Sequence, residues 1–175
     1  MPQIYEDTRQ QKGKHETKRK WFEAHGVDVE RRALATGDYE RADGMSNVLV
    51  DTKRSISELA MDVGRDHARF VRELDRARDA GCRLVVLVEV AHPYYALDDV
   101  ARWVPIPCKK CSWRGSACNP HARGRCLRYA RKPMQGPTVV SICKALERDH
   151  GCRFEFVHPF GAARRICDLL GVKYE

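Results

Sequence analysis

Apolar positions along the chain recur at two spacings, one typical of strands and the other of helices. Residues 84–88 form the uninterrupted run Leu-Val-Val-Leu-Val, which predicts a strand buried on both faces of a sheet. Residues 27–34 begin with alternating apolar and charged side chains, the pattern of a half-buried strand. A helical stripe is followed by Gly81, a residue type that commonly caps the C-terminal end of a helix. The apolar members of this stripe are Phe70, Val71, Leu74 and Ala77.

The other apolar segments complete an alternation of strands and helices. We expect strands at residues 3–6 and 154–157, a hairpin at residues 39–51, and helices at residues 14–24, 55–63, 138–150 and 162–170. Residues 92–136 are rich in Pro, Cys and Arg, lack periodicity and are interpreted as an insertion. Strands and helices that alternate around a hairpin predict the α/β class with a mixed sheet. Residues 1–175 are expected to fold as one domain.

Two acids and a lysine stand where the predicted hairpin brings its ends together. Asp51 and Lys53 are two residues apart in an apolar run, so a strand directs both side chains to one face. Asp38 precedes a turn containing Gly44, which lets the chain fold back and place Asp38 beside Asp51. Two carboxylates can hold a hard divalent cation, and an ammonium group can neutralise a phosphate. The pattern indicates metal-assisted phosphodiester hydrolysis; the alternative is the ordinary occurrence of Asp and Lys at turns and strand ends.

Positive charge is concentrated in one part of the chain. The net charge is +8, and residues 100–146 contain ten Lys and Arg without any Asp or Glu. The rest of the chain carries 22 Lys and Arg against 24 Asp and Glu. A localised basic segment indicates a polyanionic partner, most simply nucleic acid, with a solubilising surface as the alternative.

The longest apolar stretch is too short to span a bilayer, and the first residues lack the pattern of a secretory signal. We therefore expect no membrane association and a cytoplasmic location. Thiols are reduced in that compartment. The eight cysteines then favour metal binding or burial over disulfides.

Four short motifs occur in an order and spacing found in a known nuclease family. They are Asp7-Thr8-Arg9, Gly37-Asp38-Tyr39, Val50-Asp51-Thr52-Lys53-Arg54-Ser55 and Leu84-Val85-Val86-Leu87-Val88-Glu89. They resemble the XPF-type nuclease domain of the PD-(D/E)xK, restriction-endonuclease-like superfamily, whose pattern reads D-x-R-E, G-D-Y and E-R-K-x-x-x-D/E-L. The resemblance covers residues 3–90 and resumes over residues 132–171. It is closest to small stand-alone bacterial and phage members, which also show a stretch like Gly13-Lys14-His15-Glu16.

The resemblance implies a restriction-endonuclease-like fold, a mixed central sheet flanked by helices. It implies an endonuclease that depends on Mg²⁺ or Mn²⁺ and cuts branched or otherwise structured DNA, in repair, recombination or phage DNA processing. Asp38 and Asp51 map onto the metal-binding acids of the family, and Lys53 maps onto its catalytic lysine. The family's dimerisation through later helices further implies a homodimer.

The sequence departs from the family pattern at three positions. Asp51 and Thr52 replace the Glu and Arg of the E-R-K motif, and Gln10 stands where the family often has Glu. Glu16 on the first predicted helix is a candidate substitute as a catalytic metal ligand, with a solvated surface acid as the alternative. Asp7 ends the first strand and is a further candidate catalytic residue, with a capping role as the alternative.

A second constellation lies within the predicted insertion. Cys108 and Cys111 form a C-x₂-C knuckle, and Cys118 and Cys126 follow. This spacing predicts a structural Zn²⁺ site, with His121 in reserve for Cys118. Unrelated reduced cysteines and an iron–sulfur cluster are the alternatives. Because the insertion offers few apolar residues to bury, metal binding would supply the free energy that orders it.

Cations alternate with aromatic side chains in the same insertion, which suits phosphate neutralisation together with stacking on unpaired bases. Arg9 and Arg54, near the predicted active site, are further candidates for phosphate contacts. The candidates in the insertion are Lys109, Lys110, Trp113, Arg114, Arg123, Arg125 and Arg128. In the alternative, zinc only closes a loop and the arginines are solvated.

Two other functions remain compatible with the sequence. One is a catalytically inactive DNA-binding scaffold, which the changes at Gln10 and Thr52 favour. The intact set of Asp38, Asp51 and Lys53 argues against it. The other is a zinc-ribbon interaction module on an inert core.

Overall fold

A mixed sheet of six strands forms the centre of the described part of the chain. The computed structural model describes residues 1–10, 13, 15–116, 118–119 and 125–175. The strands are β1 (Ile4–Asp7), β2 (Val29–Arg32), β3 (Tyr39–Arg41), β4 (Val48–Lys53), β5 (Arg83–Glu89) and β6 (Arg153–Val157). They lie in the order β2-β1-β3-β4-β5-β6. The predicted α/β class with a mixed sheet is confirmed.

The pairing of the strands brings the predicted chemical groups to one edge of the sheet. β3 and β4 form the expected antiparallel hairpin, with Tyr39 opposite Val50. β4, β5 and β6 run parallel to one another, whereas β1 is antiparallel to β3 and parallel to β2. The carboxyl ends of β4 and β5 therefore meet at the same edge, and Asp51 and Lys53 lie there on one face.

Helices cover both faces of the sheet and bury two apolar clusters. The helices are α1 (Glu16–Ala24), α2 (Ile56–Val63), α3 (His67–Asp79), α4 (Ile106–Lys109), α5 (Gly136–His150) and α6 (Ala162–Leu170). Val86 and Val88 of β5 join the cluster that contains Phe70 of α3, whereas Leu87 joins the cluster that contains Phe22 of α1 and Ile166 of α6. Consecutive residues of β5 thus enter opposite clusters, as the uninterrupted apolar run predicts. Among the described residues, no helix is both long and apolar enough to cross a membrane.

Capping groups set the start of α2. The Ser55 hydroxyl accepts a hydrogen bond from the Glu58 amide at 3.1 Å, as in a capping box. The Glu58 carboxylate accepts from the amide of Arg54 at 2.7 Å, one residue earlier than in the usual reciprocal arrangement. α6 has the predicted bounds, whereas α1 begins at Glu16 and α5 begins at Gly136.

Short helical turns interrupt the segment between β5 and α5, which the sequence presented as aperiodic. A 3₁₀ helix covers Leu97–Arg102 and is followed by α4. Val100 and Trp103 are buried in the same apolar cluster as α5, so the first part of the segment packs on the core. The interpretation of residues 92–136 as an insertion stays a prediction.

Candidate active site

A polar cleft of about 820 Å³ opens at the carboxyl end of β4, and Asp38, Asp51 and Lys53 all line it. The hairpin accounts for their proximity, because the Asp38 amide donates to the carbonyl of Val50 at 2.8 Å. Gly37, just before Asp38, has φ +76°, and a Cβ atom there would lie 3.1 Å from the Val50 oxygen. A residue without a side chain therefore lets this segment close on β4.

Thr52 holds the carboxylate of Asp38 in place. Asp38 Oδ2 accepts hydrogen bonds from the Thr52 amide at 2.8 Å and from the Thr52 hydroxyl at 2.6 Å. Gln10 Nε2 donates to the same hydroxyl at 3.4 Å, and Tyr39 donates to Gln10 Oε1 at 3.4 Å. Two of the three departures from the family pattern thus form one network that fixes a candidate metal ligand.

Lys53 bridges two buried acids. Its Nζ atom lies 2.6 Å from Asp51 Oδ2 and 2.8 Å from Asp62 Oδ2. The other oxygen of Asp62 accepts from Arg69 Nη2 at 2.8 Å, and the Phe70 ring centroid lies 5.8 Å from the Lys53 ammonium. The two carboxylates raise the pKa of Lys53 far above its ordinary value, against the effect of burial. Lys53 is therefore a fixed positive charge on the floor of the cleft.

The surroundings of Asp51 disfavour the ionised form of its carboxyl group. Burial, followed by the charges of Asp38 and Glu73, raises the pKa of Asp51 to about 8, although Lys53 opposes the shift. The Lys53 ammonium, 2.6 Å from Asp51 Oδ2, is the charged partner of this buried carboxyl group. A divalent cation beside Asp51 would stabilise the ionised form of the carboxyl group.

The donor set fits a hard divalent cation held by few protein ligands. Within the described ranges, no group of three or more His, Cys, Asp or Glu side chains is arranged as a metal site. Mg²⁺ is usually bound through only one or two carboxylates, and water and substrate phosphate supply its other ligands. Asp38 and Asp51 provide such a pair in the cleft.

Asp7 lines the cleft but has hydrogen-bond partners on both of its oxygens. Oδ2 accepts from Arg9 Nε at 2.5 Å, and Oδ1 accepts from the Leu34 amide at 3.3 Å. Arg9 also donates to the Leu34 carbonyl at 2.9 Å. These contacts tie the end of β1 to the segment that precedes Asp38, so the position of Asp7 indicates support of the site.

Glu16 lies outside the set of side chains that form the cleft. It is exposed in the first turn of α1 and forms an ion pair with Lys20 at 2.9 Å. The structure does not bring this predicted metal ligand to Asp38 and Asp51. The position of Glu16 matches the alternative interpretation, a solvated acid on the surface.

The preceding residue, His15, does line the cleft. Its Nδ1 atom is buried and has no hydrogen-bond partner. Burial, followed by the positive charge of Lys18, lowers the pKa of His15 to about 4. His15 is therefore a neutral imidazole near neutral pH.

Three further residues line the cleft that the sequence did not predict as members of the site: His15, Asp62 and Glu73. The sequence contained one signal for Asp62. It follows the apolar residues Leu59 and Ala60 on a short helix, and it is itself buried. An acid at an inward-facing helix position needs a cationic partner. His15 and Glu73 gave no comparable signal.

The four cysteines of the predicted zinc site lie around one small cavity. Cys108, Cys111, Cys118 and Cys126 all line it, and none of them is in a disulfide. Gln135 Nε2 donates to the sulfur of Cys108 at 3.4 Å. The structure thus gathers the four predicted ligands around one space, without showing a metal centre. His121, the reserve ligand, lies outside the described residues.

The predicted DNA-binding side chains are exposed. Arg9 and Arg54 stand at the cleft, and Trp113 is 43% exposed. The other exposed members of the predicted set are Lys109, Lys110, Arg114, Arg125 and Arg128. Arg123 lies outside the described residues, so its place relative to the others stays a prediction.

Comparisons with known proteins support the fold. The sequence matches no protein-family model and no curated protein. Among solved structures, the chain is similar to XPF from Aeropyrum pernix, with a TM-score of 0.58 and 19% identity over 97% of this chain. A second structure, of the same protein in complex with DNA, gives a TM-score of 0.59 and 19% identity over 98% of this chain. The chain spans 63% and 64% of these two XPF chains, and its fold is similar to theirs.

Proposed function

We propose that this protein is a metal-dependent DNA endonuclease that hydrolyses phosphodiester bonds in branched or structured DNA. The observation that carries the proposal is the convergence of Asp38, Asp51 and Lys53 in one cleft. The similarity to an XPF fold, also solved in complex with DNA, supports DNA as the partner. The small bacterial or phage subgroup, a role in repair, recombination or phage DNA processing, the homodimer and the cytoplasmic location belong to the same proposal.

Asp38 and Asp51 would hold Mg²⁺ or Mn²⁺, which lowers the pKa of a bound water and neutralises phosphate charge. Thr52 keeps the Asp38 carboxylate oriented through its two hydrogen bonds. Lys53 places an ammonium group on the cleft floor, where it stabilises the negative charge that develops on the phosphate. Exposed Arg9 and Arg54 contact the flanking phosphates.

The segment of residues 92–136 is proposed as the second DNA contact, ordered by Zn²⁺ on Cys108, Cys111, Cys118 and Cys126. Two observations support it: the four thiols line one cavity, and the amide of Tyr129 donates to the sulfur of Cys126 at 3.3 Å. Backbone amides commonly donate to metal-bound thiolates, so this bond suits a loaded site. The exposed cations of the segment then neutralise DNA phosphates.

The second candidate is a DNA-binding scaffold without catalysis. The replacement of two family positions by Gln10 and Thr52 favours it. The structure gives both residues a defined part in holding Asp38, which favours an active site that has adapted to the changes.

Cleavage of a labelled DNA panel tests the proposal. Wild type, Asp51→Asn and Lys53→Met are incubated with single strand, duplex, flap, fork and four-way junction in Mg²⁺ and in EDTA. Lys144→Met is the matched control, because Lys144 is exposed and pairs with Asp98 on the surface. The proposal is supported if wild type and Lys144→Met cut branched DNA while Asp51→Asn and Lys53→Met do not. Binding without cutting by wild type overturns it in favour of the scaffold.

A further inference from the structure

Four arginines form a stripe along α3 and the turn before it. Arg69, Arg72 and Arg76 follow one another at intervals of three and four residues, which places them on one face of α3. Arg65 lies in the turn before this helix. All four side chains are exposed. Seven residues of helix separate Arg69 from Arg76, about 10 Å along the axis. That length equals the rise of about three base pairs along the axis of B-DNA.

One part of this arginine stripe borders the candidate active site. Arg69 and Arg76 both line the cleft. Arg69 is held by Asp62 at 2.8 Å, and Arg76 Nε donates to the Thr36 hydroxyl at 3.3 Å. Glu73 lies between them and accepts a hydrogen bond from the Gly37 amide at 3.3 Å. The two guanidinium groups are thereby positioned at the rim without being buried.

The other end of the arginine stripe reaches the predicted insertion, residues 92–136, which we call the basic segment. A Cβ atom at Gly64 would lie 2.6 Å from Cε of Met134, so Met134 packs directly on the residue before Arg65. The end of the basic segment therefore adjoins the start of the arginine stripe. Among the described residues, Arg65 has a long contact of 3.6 Å with Asp66, and its Nη2 atom donates to the sulfur of Met61 at 3.3 Å.

The middle of the stripe is available to a ligand. The side chain of Arg72 makes no ion pair or hydrogen bond with any other residue that the structure describes. By contrast, Arg78 on the same helix, outside the stripe, pairs with Asp75 at 3.1 Å and Asp79 at 3.3 Å.

We propose that the arginine stripe is a track for the DNA backbone, which leads the duplex from the basic segment into the cleft. This inference rests on the proposed function and deepens it, because it states where the DNA lies between two separate contacts. Arginine suits the role, since its guanidinium group stays charged and donates to phosphate oxygens in a fixed geometry. The contacts go to phosphates, so the track reads no base sequence.

The salt dependence of DNA binding tests the track. Duplex binding is measured in the Asp51→Asn background, which separates binding from cutting, across a range of salt concentrations. We compare Arg72→Gln and the double variant Arg65→Gln/Arg72→Gln with Arg78→Gln, a control on the same helix. Gln keeps the helix propensity close to that of Arg.

Each lost phosphate contact should reduce the slope of log K against log salt concentration by about 0.9. Arg72→Gln should therefore lower the slope by about 0.9. The ratio of parental to variant affinity should then be about eightfold larger at 0.1 M salt than at 1 M salt. The double variant should lower the slope by about 1.8. Arg78→Gln should match its parent.

Two results would overturn the track. If Arg72→Gln and Arg78→Gln have the parental slope while wild type still cuts DNA, the track is wrong and the proposed function stands. If the Asp51→Asn protein binds no DNA and wild type cuts none, both are wrong.

Discussion

Asp51 is the residue at which folding stability and the proposed chemistry oppose each other. Burial raises the pKa of its carboxyl group to about 8, whereas the unfolded chain has an ordinary value of about 4. Between these values the folded state binds more protons, so the stability of the wild type falls as the pH rises from about 4 to about 8. A bound cation would offset this loss.

Replacement of Asp51 by Asn should therefore stabilise the metal-free protein. We expect Asp51→Asn to raise the free energy of unfolding in EDTA by about 1–2 kcal/mol at pH 8 and by less at pH 5. The gain is limited because Lys53 loses one of its two carboxylate partners. Urea unfolding at both pH values measures it, with exposed Asp98→Asn as the control. An equal change at both pH values would contradict the titration of Asp51.

Asp62 should act through Lys53. Its removal frees the ammonium group from one of two anchors and leaves Arg69 without its partner. We expect Asp62→Asn to lower single-turnover cleavage by about 10- to 100-fold, because small misplacements of catalytic groups are costly. DNA affinity should change little, and Asp62→Glu should recover part of the rate. A parallel loss of affinity and rate would instead indicate a binding role.

The sequence predicted Asp38, Asp51 and Lys53 because their placement follows from local rules. A period of two fixes the shared face of Asp51 and Lys53, and a turn returns Asp38 to them. Asp62 and His15 belong to the site through contacts between elements that are distant along the chain, and no local pattern records such contacts. The neighbours His15 and Glu16 show the limit, since a rotation of one position along the start of a helix decides which side chain enters the cleft.

At the scale of elements, amphipathic stripes and buried runs were sufficient to predict the main helices and strands. The 3₁₀ helix Leu97–Arg102 escaped prediction because so short an element has no periodicity. It is fixed by the packing of Val100 and Trp103 against α5. The start of α5 was also missed, because Gly136 and Pro137 are typical of loops.

Gly136 should be intolerant of any side chain, because α5 begins in close contact with this 3₁₀ helix. A Cβ atom at Gly136 would lie 2.1 Å from the Val100 oxygen and 2.8 Å from the oxygens of Ala101 and Trp103. We expect Gly136→Ala to lower the free energy of unfolding by about 3 kcal/mol. Thermal or urea unfolding measures the loss. Thr138→Ala, at an exposed position two residues later, is the control; equal stability of the two variants would show that the contact relaxes without cost.

Across the whole molecule, burial sets three cysteines of the core apart from the four cysteines of the basic segment. Cys143, Cys152 and Cys167 lie inside the apolar clusters, and burial raises the pKa of each thiol, in Cys152 and Cys167 to about 12. Those thiols stay protonated and serve as small apolar side chains. The four cysteines of the basic segment lie outside both clusters, so the core does not depend on them.

Loss of zinc should therefore uncouple DNA binding from the stability of the core. We expect purified protein to hold one zinc per chain, and Cys111→Ser to lose it. The variant should bind DNA more weakly and with a lower salt slope, because the exposed arginines of the segment lose their fixed arrangement. Its urea unfolding midpoint should stay close to that of the wild type. Cys82→Ser, at a partly exposed cysteine outside the segment, should keep both zinc and affinity. Metal analysis by atomic emission and binding titrations measure these effects, and retention of zinc by Cys111→Ser would remove Cys111 from the ligand set.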